Sequence, residues 1–289
     1  MKTIFILFIT IFFLSCSSQD SKLIRISTNA WIGYAPLFYA QEKGYLTKLN
    51  MKLINNVSLV EAAEVYAIGQ AEMVTATQHE YFALQRTTKD ITPVILIDRS
   101  YGGDMVLSNK SLEELQQAQK IYAYLEIDSI NSEVLKEFMY LAHLDEDKME
   151  FINKDQDKIQ ALQNDSSKAI LITTYSPYDV KLKQKGFQEL ASTKDEQSLL
   201  VVDMLCAKKS LVANETKRLQ KLKNIINKSI QEIQKDPKKT YLMIKSYLGN
   251  ITYEEYQDAL GRIQWINKPP QHLLNTLEKQ HIHTRSLVL

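Results

Sequence analysis

The sequence predicts an α/β fold shared between two lobes, on three observations. Short apolar strand patterns alternate with helical patterns, which argues for largely parallel sheets flanked by helices. The 289 residues, 45% apolar, are enough to fill two cores of ordinary domain size. After the leader, no internal repeat, low-complexity tract or second long apolar run breaks the alternation.

The leader comes first. Met1-Lys2 is followed by the apolar run Ile4 to Leu14 and then Ser15-Cys16. The run is too short for a stable membrane span and has the layout of a secretory signal. A small residue directly before a cysteine matches a bacterial lipoprotein cleavage site, although Phe13 stands where leucine is usual. Residues 1–15 are therefore expected to be a lipoprotein-type signal peptide, with Cys16 acylated and residues 16–21 a tether to the membrane. An ordinary signal with an incidental cysteine is the plainer alternative. Cys206 is then left without a partner for an internal disulfide. With 35 basic against 34 acidic side chains, nothing in the charge balance suggests nucleic acid or an acidic membrane as a partner.

Leu23 to Ser27 reads as the first strand. It leads into Thr28-Asn29-Ala30-Trp31-Ile32-Gly33-Tyr34-Ala35-Pro36, where Gly33 permits a turn and Pro36 suits a helix start, with Gly44 past the helix end. Free N–H groups at such a start can hold a polar or anionic ligand, and Trp31 and Tyr34 can supply flat apolar walls or simply fill the core. Met51 to Leu53 is a second strand, Leu59 to Ile68 a helix closed by Gly69, and Met73 to Ala76 a third strand. Thr77 opens the next helix, to about Arg86. Pro93 to Asp98 is a buried-type strand.

Asp98-Arg99-Ser100-Tyr101-Gly102-Gly103-Asp104 follows, where the paired glycines allow a turn or a close backbone approach. Ser111 to Ala118 is a helix, Ile121 to Leu125 a strand, and Glu126 to Asn131 the loop before a helix at Ser132 to Ala142. Ser129 and Asn131 can cap that helix or meet a solute. Asp157 to Gln163 reads as a helix and Ala169 to Thr173 as a strand. In Thr174-Tyr175-Ser176-Pro177-Tyr178, Ser176 is the expected cap and Pro177 the first helical residue. Leu199 to Ala207 is an apolar strand interrupted by Asp203, whose charge needs a partner or a cleft. Cys206 reads as a small core residue. The remainder reads as helical: Glu215 to Lys235, Lys238 to Leu248, then a capping box from Thr252 to Glu255. His281 and His283 lack further ligand types at metal spacing, so no metal or other cofactor is expected.

Trp31-x-Gly33-Tyr34-x-Pro36, Glu42-Lys43-Gly44, Asp98-x-Ser100-x-Gly102-Gly103-Asp104 and the Pro177-Tyr178 turn fall in an order that resembles the nitrate/sulfonate/taurine solute-binding proteins, which include hydroxymethylpyrimidine-precursor binders. The resemblance spans nearly the whole mature chain. It implies the type 2 periplasmic-binding-protein architecture, with a two-strand hinge: lobe 1 from 22–105 and 203–289, lobe 2 from 106–202. It implies capture of a small solute between lobes by an exported, lipid-anchored monomer that delivers it to an ABC permease. The implied ligand residues are Trp31, Gly33, Tyr34, Thr77, Ser100, Gly102, Gly103, Asp104, Ser129, Asn131, Tyr175 and Asp203, the last as solute contact or hinge brace. Ser176-Pro177 departs from the family, where Glu-Pro is frequent, which puts transfer to the permease in doubt.

The solute class stays open between a sulfonate- or nitrate-like anion and a pyrimidine-type heterocycle. If more than one of Asp98, Asp104, Glu126 and Asp203 faces the cleft, charge balance favours a cationic or amine-bearing solute. Two other classes remain. A binding protein of this kind can serve a membrane signalling receptor in place of a permease. Fungal hydroxymethylpyrimidine-phosphate synthases and some menaquinone-pathway enzymes share the fold. The former carry a cysteine-rich iron motif absent here, the latter are cytoplasmic, and no nucleophile–base spacing stands out, so catalysis is not expected.

Overall fold

The computed structural model describes residues 22–88, 90–195 and 199–288. The leader and the expected acylation site Cys16 lie outside the described residues. Among the described residues no helix is long and apolar enough to cross a membrane.

Among the described residues, eleven strands form two mixed sheets. The first contains β1 (Ile24–Asn29), β2 (Met51–Asn56), β3 (Met73–Ala76), β4 (Ile91–Ser100), β10 (Val202–Lys208) and β11 (Ile263–Trp265), in the order β11-β4-β10-β3-β1-β2. The second contains β5 (Asp104–Ser108), β6 (Ile121–Leu125), β7 (Met149–Asn153), β8 (Ala169–Tyr175) and β9 (Gln188–Ser192), in the order β7-β6-β8-β5-β9. The architecture is the two-lobed α/β one, each sheet flanked by helices.

In the first sheet β1 lies parallel to both β2 and β3, while β10 runs antiparallel to β3 and β4. In the second, β6 lies parallel to both β7 and β8, and β5 runs antiparallel to β8 and β9. Each sheet therefore has a central strand, β1 or β6, whose neighbours are reached in opposite directions. The loops after such strands are where open α/β sheets bind ligands. The chain moves from the first sheet to the second between Ser100 and Asp104, and back between Ser192 and Val202. Asp104 and Met105 already belong to the second sheet.

Local chemistry explains the helices that carry these sheets. Leu219, Leu222, Ile226, Ile230 and Ile233 recur at helical spacing and bury one face of the long helix Lys209–Lys235. Its start lies six residues before the expected Glu215, where a non-helical backbone marks a kink. Ser58, Ser111 and Thr252 cap their helices by accepting from the third residue on, the latter two with full capping boxes. At the far end of β1, Arg25 meets Glu72 through a backbone N–H bond of 2.8 Å and two guanidinium bonds of 2.8 and 3.1 Å.

Several sequence-based expectations need correction. The helix after β8 begins at Asp179, and the Ser176–Pro177 peptide is cis. Ser176 turns its hydroxyl to Asp179 Oδ1 (3.1 Å) and caps nothing. The apolar run from Leu199 joins the sheet only at Val202, because its first residues span the passage between sheets. β7 and β9 are edge strands with mostly half-exposed or exposed residues, so they lack the apolar signal of a central strand. The last third is not wholly helical either. Three residues, Ile263–Trp265, add β11 beside β4, too short for any periodicity to register.

Candidate functional site

The ends of β1, β4 and β8 and the starts of β5 and β10 bring the candidate residues together between the sheets. Trp31 follows β1 and is buried. Its indole N–H donates to Asp98 Oδ1 at 3.1 Å, and its ring meets Tyr175 of the other sheet edge-on, with centroids 5.8 Å apart. Asn29 Nδ2 donates to the Tyr175 hydroxyl at 3.1 Å, a second bond between lobes. Tyr178 continues the aromatic row 5.3 Å from Tyr175.

Two glycines make the approach possible. A Cβ at Gly33 would lie 2.2 Å from Asp98 Oδ2 and 2.3 Å from Trp31 Nε1. A Cβ at Gly103 would lie 2.4 Å from Trp31 Cη2. Both would drive a side chain out of place, so these glycines are required by contact with Trp31. The Gly33 carbonyl also accepts from Trp265 Nε1 at 2.9 Å.

Below the ring lies a group of carboxyls. Asp98 on β4 and Asp203 on β10 stand opposite each other in the antiparallel ladder. Tyr34 donates its hydroxyl to Asp203 Oδ1 in a short hydrogen bond. Asp104, paired with Tyr175 in the β5–β8 ladder, and Glu126, after β6, complete the group from the second lobe. All four are buried. Asp98 Oδ2, Asp104 Oδ2 and both Glu126 oxygens have no hydrogen-bond partner. Burial pushes the Asp98 carboxyl up to about 8, opposed by the Trp31 bond and reinforced by the charge of Asp104. Burial likewise raises Asp104 to about 7, against a hydrogen bond from Ser100, with the Glu80 charge adding to the rise. Glu126 rises to about 7 by burial, against the pull of Ser58, with Glu80 again adding. Asp203 is pushed well above the ordinary carboxylate range by burial and by Asp98. Among the described residues no basic side chain pairs with any of the four.

The remaining candidates are tied to their surroundings by hydrogen bonds. Thr77 donates its backbone N–H to Glu80 Oε2 at 3.0 Å and its hydroxyl to the same atom. Glu80 Oε1 crosses the cleft to accept the N–H of Ile130 at 2.8 Å, at the start of the helix Ile130–Leu141. Ser129 caps that helix on the Asn131 N–H, and Asn131 Oδ1 accepts from Gln156 Nε2 at 2.7 Å, leaving its own Nδ2 without a partner. Ser100 Oγ bonds Thr193 Oγ1 at 2.7 Å and accepts the Asp104 N–H at 3.0 Å. The Gly102 N–H, expected to face a solute, instead donates to Thr193 Oγ1 at 2.9 Å. Thr193 therefore ties both passages between sheets. Neither it nor Glu80 was legible as a site residue, since one is a lone threonine in a polar loop and the other reads as a solvated helix charge.

A recess of about 190 Å³ opens beside the aromatic row, lined by Ala30, Asn56, Val57, Pro177, Tyr178 and Tyr247 among others. None of the four carboxyls lines it.

Comparison with known proteins gives consistent results. A family model described as NMT1/THI5 like matches residues 31–240. No curated protein matches the sequence significantly. Among solved structures, the chain is similar to the ligand-binding component of an ABC-type import system from Staphylococcus aureus with zinc bound, at TM-score 0.72 and 12% identity, over 93% of this chain and 96% of that one. The alkanesulfonate-binding protein SsuA from Xanthomonas axonopodis pv. citri, bound to MOPS, is similar at TM-score 0.71 and 11% identity, over 89% and 90%. The nitrate-binding protein NrtA from Synechocystis PCC 6803 is similar at TM-score 0.67 and 10% identity, over 82% of this chain and 69% of that one. At these identities the likeness is one of fold.

Proposed function

Because the chain belongs to the NMT1/THI5-like family, we propose that it is the solute-binding component of an ABC import system, capturing a small organic molecule between its lobes. The observation that carries this is the set of orphaned buried polar atoms on both sides of the cleft: Asn29 Oδ1 and Asp98 Oδ2 from one sheet, and beside the other the Glu126 oxygens from the loop after β6 and Asn131 Nδ2 from the first turn of the helix Ile130–Leu141. A buried polar atom without a partner costs stability, so atoms left open on two facing walls are best explained by a solute that completes them. Two passages of chain between the sheets, both tied by Thr193, suit hinge closure over that solute. The named functions of the S. aureus, Xanthomonas and Synechocystis proteins agree with this role.

Catalysis is not part of the proposal. The site offers no nucleophile beside a base, and the carboxyls lie in an aromatic wall without a basic partner. Export by residues 1–15 and acylation at Cys16 rest on the leader pattern and would hold the protein, as a monomer, at a membrane facing the permease. Cys16→Ala is expected to release the protein from the membrane fraction; retention there would remove the anchor from the proposal.

A thermal-shift screen of the mature chain tests capture itself. A solute that binds only the folded protein adds about 2.7 kcal/mol of stability at a hundredfold excess over its dissociation constant. Trp31→Ala should abolish the shift by opening the wall between Asp98 and Tyr175. A shift of equal size in that variant would remove the cleft as the site.

A further inference from the structure

We propose that the captured solute is a cation bearing several N–H donors, such as a primary amine or amidine, held between Asp98 and Asp203 of one lobe and Asp104 and Glu126 of the other. This rests on the solute-capture reading and assigns the charge of its ligand.

Like charges directly opposite in a ladder destabilise a sheet, and Asp98 and Asp203 are such a pair on neighbouring central strands. Their neighbours offer little relief. Trp31 gives Asp98 one N–H, and Tyr34 gives Asp203 one O–H. Asp104 Oδ2 receives nothing, and neither Glu126 oxygen has a partner at full hydrogen-bond geometry, although Ser58 and the Val60 N–H stand close enough to draw that carboxyl down. The unfilled positions are therefore mostly acceptors: Asn29 Oδ1, Asp98 Oδ2, Asp104 Oδ2 and the two Glu126 oxygens, against the unpartnered donor Asn131 Nδ2, with Arg99 Nε and the Thr173 hydroxyl also unpartnered on β4 and β8. Asn29, Asp98, Asp104, Glu126 and Asn131 are all at least nine-tenths buried. A solute that fits this inventory brings more donors than acceptors, and positive charge. Trp31 and Tyr175 add aromatic surface, which also attracts cations.

The groups that would receive an anion are already occupied. The free N–H groups at helix starts are the natural anion sites of this fold class. Glu80 fills two of them, accepting from Thr77 N and from Ile130 N across the cleft. Ser129 takes the Asn131 N–H, and Thr193 takes that of Gly102. At pH 8, where the Asp104 and Glu126 carboxyls ionise, a sulfonate or nitrate entering here would meet like charge with, among the described residues, no basic side chain paired to it.

The deciding experiment compares ring-matched and chain-matched probes of opposite charge on the full mature protein. Benzamidine, phenethylamine, putrescine and agmatine form one set; benzenesulfonate, ethanesulfonate and nitrate form the other. Thermal shifts and calorimetric affinities would be measured at pH 6 and pH 8. At least one cation is expected to shift the midpoint while the anions do not. Its affinity should strengthen about tenfold between the two pH values for each carboxyl proton released on binding. Asp104→Asn and Glu126→Gln should each weaken it at least tenfold, while the folded far-UV spectrum stays unchanged. Binding of an anion alone would overturn the cation assignment and leave capture standing. No shift with either set would overturn both. Unaltered cation affinity in the two variants would remove these carboxyls from the site.

Discussion

Asp98, at the end of β4, and Asp179, at the start of the helix Asp179–Gln184, are buried to the same degree and are provided for differently. Asp179 accepts from Lys183 Nζ at 2.9 Å and from Ser176 Oγ at 3.1 Å. The same Lys183 reaches Glu189, which also takes Arg262, so the group is a chain of alternating charge near the second passage between sheets. Asp98 has one indole N–H and, opposite it, another aspartate. One carboxylate belongs to the frame and is complete without a ligand. The other sits in a group that lacks its counter-charge, and that lack is what marks a binding wall off from ordinary buried polarity.

The largest expected effect is the pH dependence of the ligand-free protein. Asp98, Asp104 and Glu126 titrate near 8, 7 and 7 when folded and near ordinary carboxyl values when unfolded. Between these limits the folded state holds more protons than the unfolded one, so stability falls as pH rises. Urea unfolding at pH 5 and pH 8 should differ by on the order of 5 kcal/mol, with the lower stability at pH 8. Saturating cation should flatten that profile. A ligand-free protein equally stable at both values would mean that counter-charges already reach these groups.

Breaking the complete group gives the next effect. Lys183→Met strands the buried Asp179 charge and should cost about 2 kcal/mol at neutral pH, less than a wholly buried pair because Lys183 is partly exposed. Asp98→Asn should do the opposite. It keeps an oxygen for the Trp31 N–H and removes one of two facing charges, so it should stabilise the ligand-free protein by about 1 to 2 kcal/mol at pH 8 and leave it nearly unchanged at pH 4. Together the two variants test whether complete and incomplete burial can be told apart by the sign of a single substitution.

The same contrast governs what could be read from the sequence. Central strands such as β1, β3 and β6 announced themselves because burial on both faces demands apolar runs. Trp31, Gly33, Tyr34 and Gly103 stood out through a motif order that resembles the solute-binding family, and the contact of both glycines with Trp31 gives two of those positions a physical reason. The carboxyls were visible as anomalies near turns, but whether they faced one another depended on the β4–β10 register, which no local pattern encodes. Glu80 and Thr193 were hidden for a related reason. Each acts on residues far away in the chain, Ile130 and Ser100, and neither side chain is unusual for its own segment. The edge strands β7, β9 and β11 were hidden because polar residues suit an edge.

The smallest effect concerns the tie between the two passages. Thr193 Oγ1 accepts the Gly102 N–H at 2.9 Å, is hydrogen-bonded to Ser100 Oγ at 2.7 Å and donates to the Asp104 carbonyl at 3.4 Å. Thr193→Val keeps the shape and removes the hydroxyl, so the Gly102 N–H loses its acceptor and the Ser100 hydroxyl its partner. The loss should be about 1 kcal/mol in unfolding, and the midpoint should fall by a few degrees. A hinge role predicts a second change, because the bond joins segments that swing when lobes part. The ligand-free variant should have a larger radius of gyration by small-angle scattering, and solute should restore the compact value. A purely structural threonine would give the stability loss with no change in radius, which would leave closure to the Glu80–Ile130 and Asn29–Tyr175 bonds.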